Sequence, residues 1–145
     1  MTLAKALKTK NRLAQKINNL QMEIQQENSF RADSSKRIDV EVLMLELQNA
    51  TEELIKLKIV IFVASTPMRE NILRLSEQKA KIVFLKAINT TEGKDAGRWG
   101  GEVEIEYEAT YDKSYVKQEV LKCENSIDTL QEELDQFNHK TEIEI

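Results

Sequence analysis

Apolar residues recur at alternating intervals of three and four along most of this chain, and this spacing constrains the fold more than any other feature. The longest row is Val40, Leu43, Leu47, Ala50, Leu54, Leu57, Ile61 and Ala64. Because an α-helix turns once in about 3.6 residues, these side chains share one face and form a seam against a partner helix. The pattern predicts a helix over 40–64, with Asp39 as its N-cap.

A first helix is predicted over Leu3 to Ile24, with Thr2 as its N-cap and the polar run 28–37 as the loop that follows it. This helix and the helix over 40–64 are expected to form an antiparallel, coiled-coil-like hairpin. Six apolar residues of the second helix lie off its seam and require a second contact face: Val42, Leu45, Ile55, Ile59, Phe62 and Val63.

Two more helices are predicted towards the C-terminus. One restarts at Thr66-Pro67, where Thr fits the cap and Pro the first helical position, and extends to about Ile88. The last begins after Asp112, a good N-cap, and its seam of threes and fours runs from Val116 to Phe137.

All four glycines fall between residues 89 and 101, which predicts a loop that is mobile. Residues 102–111 then alternate strictly between apolar and acidic or polar side chains and predict the clearest strand of the chain. Its partner is left open between the closing residues 141–145, the glycine-rich loop and the same strand of another subunit.

These elements predict a mainly α fold in which long antiparallel helical hairpins carry a small β element near 102–111. We expect a single helical domain over residues 1–145, with the glycine-rich loop and strand inserted at 89–111, that forms homo-oligomers. The chain has only 6% aromatic residues, four Gly and one Pro, which argues against an all-β fold.

Several functional classes are expected to be absent. The lone Cys123 lies on a helix seam and the lone His139 has no catalytic neighbours, so we expect no metal site, no cofactor and no catalytic residues. The net charge of -4 argues against binding of duplex nucleic acid. The longest apolar run, 59–64, is too short for a membrane span, so a soluble, intracellular protein is expected.

Two predicted loops place guanidinium groups beside aromatic rings, at Phe30-Arg31 and at Arg98-Trp99. An Arg guanidinium can donate two hydrogen bonds to phosphate oxygens, and an aromatic ring can stack on a base. An Arg next to an aromatic residue is therefore typical of a nucleotide site. The same residue types also anchor protein interfaces. Both interpretations stay open at this point.

Several strings resemble a family of small helical-hairpin proteins: Met1 to Lys8, Glu27-Asn28-Ser29 with 36–40, Phe84-Leu85 with 89–93, and Leu134 to Asn138. The chain resembles the septicolysin-like family of bacterial and phage proteins over nearly its full length. Within that family it is most similar to the phage Thoeris anti-defence sponges of the first described type.

The resemblance implies a phage protein, acting in the cytoplasm of the infected bacterial host, that evades an immune system. In that system a TIR-domain enzyme makes a cyclic ADP-ribose isomer that activates an effector, and the sponge binds this signal without cleaving it. The protein is then not an enzyme. The resemblance also implies a homo-oligomer, dimer or hexamer, with pockets between subunits and a separate site for cyclic oligonucleotides in some members.

By the same resemblance, Arg31 is a phosphate ligand, Phe84 stacks on adenine, and Asn89, Thr90 and Thr91 bind base or ribose. Arg98 and Tyr107 are added because they lie near the glycine-rich loop. Ordinary core packing is the alternative for Phe84. The alternative for the whole chain is a helical oligomeric interaction or assembly protein without a small-molecule ligand.

Overall fold

The computed structural model describes residues 1–35, 38–96 and 104–145. Within these ranges the protein is mainly helical, with four helices and a two-stranded antiparallel sheet. The elements are α1 Leu3–Glu27, α2 Val40–Ala64, a 3-10 turn Thr66–Met68, α3 Arg69–Lys86, β1 Gly93–Ala96, β2 Glu104–Tyr107 and α4 Lys113–Lys140. The predicted fold class is thereby confirmed in its secondary structure.

The chain divides into two compact units. The first unit consists of Met1–Met68 and Asp135–Ile145, and the second unit of Arg69–Leu134. Helix α4 therefore contributes most of its length to the second unit and its last turns to the first. A single domain over 1–145 stays a prediction.

Both predicted caps of the first hairpin are confirmed. The Thr2 hydroxyl oxygen accepts from the backbone N–H of Lys5 at 3.3 Å. One carboxylate oxygen of Asp39 accepts from the N–H groups of Glu41 and Val42 at 3.0 and 3.3 Å. Each cap satisfies N–H groups that lack a partner inside the helix, which fixes where α1 and α2 begin.

Helices α1 and α2 pack antiparallel through their seams. The core of the first unit joins Leu3 and Ala6 of α1 to Leu57 and Ile61 of α2, with Ile143 from the closing segment packed against them. Further along the pair, Lys16 Nζ lies 2.9 Å from Glu46 Oε1. The start of one helix thus lies beside the end of the other, as predicted.

In the second unit, two observations place α3 antiparallel to α4. The Asn71 side-chain amide donates to Glu133 Oε2 at 2.7 Å, near the start of α3 and far along α4. Leu85, at the end of α3, lines a cleft with Val116 and Val120 from the start of α4. Leu75, Leu85 and Cys123 are the buried apolar side chains of these helices among the described residues.

The partner of the predicted strand is the glycine-rich segment. Strand β1 pairs antiparallel with β2, Gly93 opposite Tyr107 and Ala96 opposite Glu104. The prediction that all of 89–101 is loop was therefore wrong for 93–96. This segment has no alternation of its own, and it is extended because β2 supplies a hydrogen-bonding edge. Gly93 enters the strand with φ +86°, which favours glycine.

Strand β2 is also shorter than predicted. It ends at Tyr107, and Asp112 caps α4 only five residues later, its Oδ1 accepting from the Tyr115 N–H at 2.8 Å. Residues 97–103 lie outside the described ranges. Strand β2 is thus joined to the last helix by the short segment 108–112.

Helix α2 is apolar on a second face as well. Six side chains opposite the α1 seam are between 45% and 64% exposed: Met44, Leu45, Ile55, Ile59, Phe62 and Val63. We call them the outer stripe. Among the described residues, no helix combines the length and apolar character needed to cross a membrane.

Candidate functional site

Two neighbouring clefts lie where α3 ends and α4 begins. The first, the polar cleft, has a volume of about 600 Å³. It is lined by Ile88, Asn89, Thr90, Thr91, Glu92, Asp112, Lys113 and Ser114. A volume of this size is within the range of sites for small organic ligands.

The α3–β1 connection that forms one wall of the polar cleft is held by a local turn. Asn89 Oδ1 accepts from the backbone N–H of Thr91 at 3.0 Å and from its hydroxyl at 2.5 Å. This is the Asx-type bonding that ends helices and organises loops. It leaves the Asn89 amide NH₂ and the Thr91 hydroxyl oxygen as groups that can face a polar ligand.

The second cleft, which we call the lysine-rimmed cleft, has a volume of about 300 Å³. Its floor is apolar and its rim is cationic, and it is lined by Leu85, Lys86, Ile88, Thr90, Lys113, Val116, Lys117 and Val120. The three lysines are exposed, and none of the described residues that line this cleft carries a carboxylate. The arrangement suits a ligand that joins an apolar ring to a negative charge.

Ile88, Thr90 and Lys113 line both clefts, so the two are adjacent. The polar cleft offers hydroxyls and an amide together with the carboxylates of Glu92 and Asp112. Ribose hydroxyls donate to such carboxylates, whereas phosphates are repelled by them and attracted to lysines. The combined site therefore separates a region for hydroxyls from a region for phosphate and an apolar ring.

Three of the seven predicted site residues, Asn89, Thr90 and Thr91, lie together in the polar cleft. Phe84 lies on the last full turn of α3 and is 64% exposed, so ordinary core packing does not account for it. Tyr107 ends β2 opposite Gly93 and is 41% exposed. Neither aromatic residue is among those that line the clefts.

Arg31 lies in the first unit, in the loop after α1. Its Nε and Nη2 donate to the two carboxylate oxygens of Asp33 at 3.1 and 2.7 Å, and the pair is exposed. A cleft of about 570 Å³ lies between the end of α1 and the start of α2, and it is lined by Glu27, Asn28, Phe30, Ile38, Asp39, Val40 and Glu41. Arg31 is not among these residues, and three of them carry carboxylates. Arg98 lies outside the described residues.

Sequence reasoning missed the contribution of α4. Lys113, Ser114 and Lys117 line the clefts, yet the residues of this turn that we singled out were Asp112, as a cap, and Val116, on the helix seam. A signal was present: cations at positions 113 and 117 are one helical turn apart, and both follow a cap that fixes where the helix begins. Their proximity to residues 85–92 depends on the antiparallel packing of α3 and α4.

The described side chains with redox or acid-base chemistry do not form a cluster. The Cys123 thiol is buried at 3% exposure, and His139 is exposed with Nδ1 2.7 Å from the Asp135 carbonyl oxygen. Within the part of the chain that the structure describes, no group of three or more His, Cys, Asp or Glu residues could hold a metal ion.

Comparisons with protein-family models, with curated proteins and with solved structures found no match to this chain.

Proposed function

We propose that this protein is a phage anti-defence sponge, which binds a cyclic ADP-ribose signal made by bacterial TIR-domain enzymes and withholds it from its effector without cleaving it. The main support is the pair of adjoining clefts, one lined with hydroxyls and carboxylates and the other with lysines over an apolar floor. A cyclic dinucleotide-like ligand carries ribose hydroxyls, a pyrophosphate and a base, which match these three environments.

In the proposed complex the adenine lies over the apolar floor formed by Leu85, Val116 and Val120. The pyrophosphate is paired with Lys113 and Lys117, and the ribose hydroxyls hydrogen-bond in the polar cleft. Such a protein works by mass action, so its dissociation constant has to lie below the concentration that activates the effector. As the family resemblance implies, we propose that the chain acts as a homo-oligomer in the host cytoplasm.

Calorimetric titration with cyclic ADP-ribose isomers tests this proposal. We expect binding by the unaltered chain and an affinity at least about tenfold lower for Lys113→Ala and for Lys117→Ala, since each removes a charge-assisted contact. Lys58→Ala, at an exposed lysine of α2 that lines neither cleft, is the matched control and should bind normally. Absence of binding to every isomer would contradict the proposal.

Mass spectrometry of the ligand separates a sponge from an enzyme. After incubation and heat denaturation of the complex, the sponge releases the same mass that was added. Release of a hydrolysed product would instead indicate catalysis.

A second candidate is a helical assembly protein without a small-molecule ligand, which the exposed outer stripe of α2 favours. The two candidates differ in thermal unfolding. A ligand at 100 times its dissociation constant stabilises the folded state by about 2.7 kcal/mol, and a pure assembly protein shows no such rise with nucleotide.

A further inference from the structure

Two of the lysines that line the lysine-rimmed cleft come from opposite walls at the same level. Lys86 is the last residue of α3, and Lys117 lies near the start of α4. The hydrogen bond between Asn71 and Glu133 sets the level of the two antiparallel helices. Fifteen residues on from Asn71 is Lys86, and fifteen residues back from Glu133 is position 118. Lys86 therefore lies level with Lys117 and its neighbour.

This juxtaposition of like charges differs from the pattern further along the same two helices. Lys79 lies seven residues before Lys86, on the same face of α3, and Glu124 lies seven residues after Lys117 on α4. By the same register Lys79 is level with Glu124, so there the helices present opposite charges. At the cleft they present two cations.

The charges of Lys86 and Lys117 are not balanced within the protein. Among the described residues, neither lysine forms an ion pair with a carboxylate. Two cations on opposite walls of one cleft repel each other, and an anion held between them relieves this repulsion. The cleft is thus electrostatically complete only when an anionic group lies between α3 and α4.

The pyrophosphate of the ligand proposed above does not use all of these cations. In the proposed complex it pairs with Lys113 and Lys117, which are both on α4. Lys113 also lines the polar cleft, whereas Lys86 and Lys117 line only the lysine-rimmed cleft. Lys86, alone on the α3 wall, is left for a second anionic group of the ligand.

We propose that the ligand is a cyclic ADP-ribose that carries an additional phosphate monoester on its adenosine ribose, and that Lys86 and Lys117 hold this phosphate between them. The inference rests on the function proposed above and names the chemical class of the signal. The adenosine ribose is the sugar attached to the adenine, so a phosphate on it lies close to the base on the apolar floor. A monoester adds about 1.5–2 negative charges, which match the cations that face each other there.

The proposal also constrains the reaction that supplies the ligand. Cyclisation of a nicotinamide dinucleotide releases nicotinamide and adds no phosphate. The enzyme that makes this signal therefore has to act on a dinucleotide that already carries the monoester.

Calorimetric titration with a matched pair of ligands tests the proposal. The probes are a cyclic ADP-ribose isomer and the same isomer phosphorylated on the free hydroxyl of its adenosine ribose. We expect the unaltered chain to bind the phosphorylated isomer about tenfold tighter or more, because the monoester gains charge-assisted contacts to two lysines. Lys86→Ala should remove most of this preference and change the affinity for the unphosphorylated isomer by less than about threefold.

Two further variants are the controls. Lys113→Ala should weaken the binding of both isomers by the same factor, so the preference between them stays. Lys79→Ala replaces an exposed lysine on the same face of α3 that lines neither cleft, and it should change neither affinity.

Thermal unfolding of the ligand-free chain separates ligand binding from a structural role of Lys86 at the C-terminus of α3. A cation there also interacts favourably with the helix dipole. If Lys86 is present for the ligand, Lys86→Ala removes a repelling neighbour of Lys117 and should leave the melting temperature unchanged or higher. A lower melting temperature together with equal weakening of both isomers would overturn the proposal.

The remaining outcomes distinguish this inference from the function on which it rests. Equal affinity of the unaltered chain for the two isomers would overturn the phosphorylated ligand and leave the sponge standing. A preference that persists in Lys86→Ala would also overturn it, because another group would then hold the phosphate. Binding of neither isomer would overturn both proposals.

Discussion

The backbone N–H of Leu3 donates to the carbonyl oxygen of Thr141 at 2.8 Å, which joins the first turn of α1 to the segment that follows α4. Thr2 and Glu142 form an antiparallel bridge beside this bond. The contact places Ile143, 7% exposed, against Leu3 in the core of the first unit. Residues 141–145, one of the three candidate partners for the predicted strand, thus pair with the start of α1 instead.

Ile143→Ala is expected to destabilise the protein by about 2–4 kcal/mol, because it removes a buried side chain and leaves a cavity among Leu3, Leu57 and Ile61. Urea unfolding followed by circular dichroism measures the change. Ile145→Ala, at a position 68% exposed, is the control and should change the free energy of unfolding by less than about 0.5 kcal/mol. Equal effects of the two variants would show that the closing segment is not part of the core.

The helices could be predicted because their signals are local. Asp39 and Asp112 mark helix starts through side-chain bonds to N–H groups two or three residues away, and α2 has the predicted bounds. The pairing of β1 could not be predicted, since Gly93–Ala96 has no apolar alternation and becomes extended only by bonding to β2. Likewise, Asn89, Thr90 and Thr91 of the polar cleft were named through the family resemblance, whereas Lys113 lines this cleft because of the long-range packing of α4.

Asp39→Ala is expected to lower stability by about 1 kcal/mol, because the N–H groups of Glu41 and Val42 lose their acceptor at the start of α2. Asp39→Asn keeps an oxygen acceptor in the same place and should retain most of that stability. Thermal unfolding of both variants compares them. If the Asn variant were as unstable as the Ala variant, the charge of Asp39 rather than its capping bond would be responsible.

A hydrogen bond from Lys122 lowers the pKa of the Glu119 carboxyl, with the charges of Lys122 and Lys81 acting in the same direction. Lys122→Ala should therefore raise the Glu119 pKa, as measured by carboxyl NMR titration, and Lys81→Ala should raise it less. Since the folded-state pKa is lowered, the stabilisation from this pair is present above the unfolded-state pKa and is lost as pH falls through the folded-state pKa. A larger effect of Lys81→Ala would contradict the assigned cause.

Arg31→Ala tests the phosphate role that the resemblance implies. Because its ion pair with Asp33 is exposed, the substitution should leave stability nearly unchanged. If Arg31 binds phosphate, affinity for the cyclic nucleotide should fall about tenfold or more, since a charge-assisted contact is removed. Asp33→Asn keeps the arginine and removes a competing carboxylate, so it should bind at least as tightly as the unaltered chain. Unchanged affinity of the Arg31 variant in calorimetry would remove it from the site.

Phe84→Ala separates a stacking role from a packing role. At 64% exposure the ring contributes little buried area, so the free energy of unfolding should change by less than about 1 kcal/mol. If the ring stacks on adenine, its loss should weaken nucleotide binding by about 1–3 kcal/mol, or roughly 5- to 150-fold. Val83→Ala, at the adjacent position and 71% exposed, should affect neither quantity. A Phe84→Ala variant that binds normally would show that exposure of this ring serves something other than the ligand.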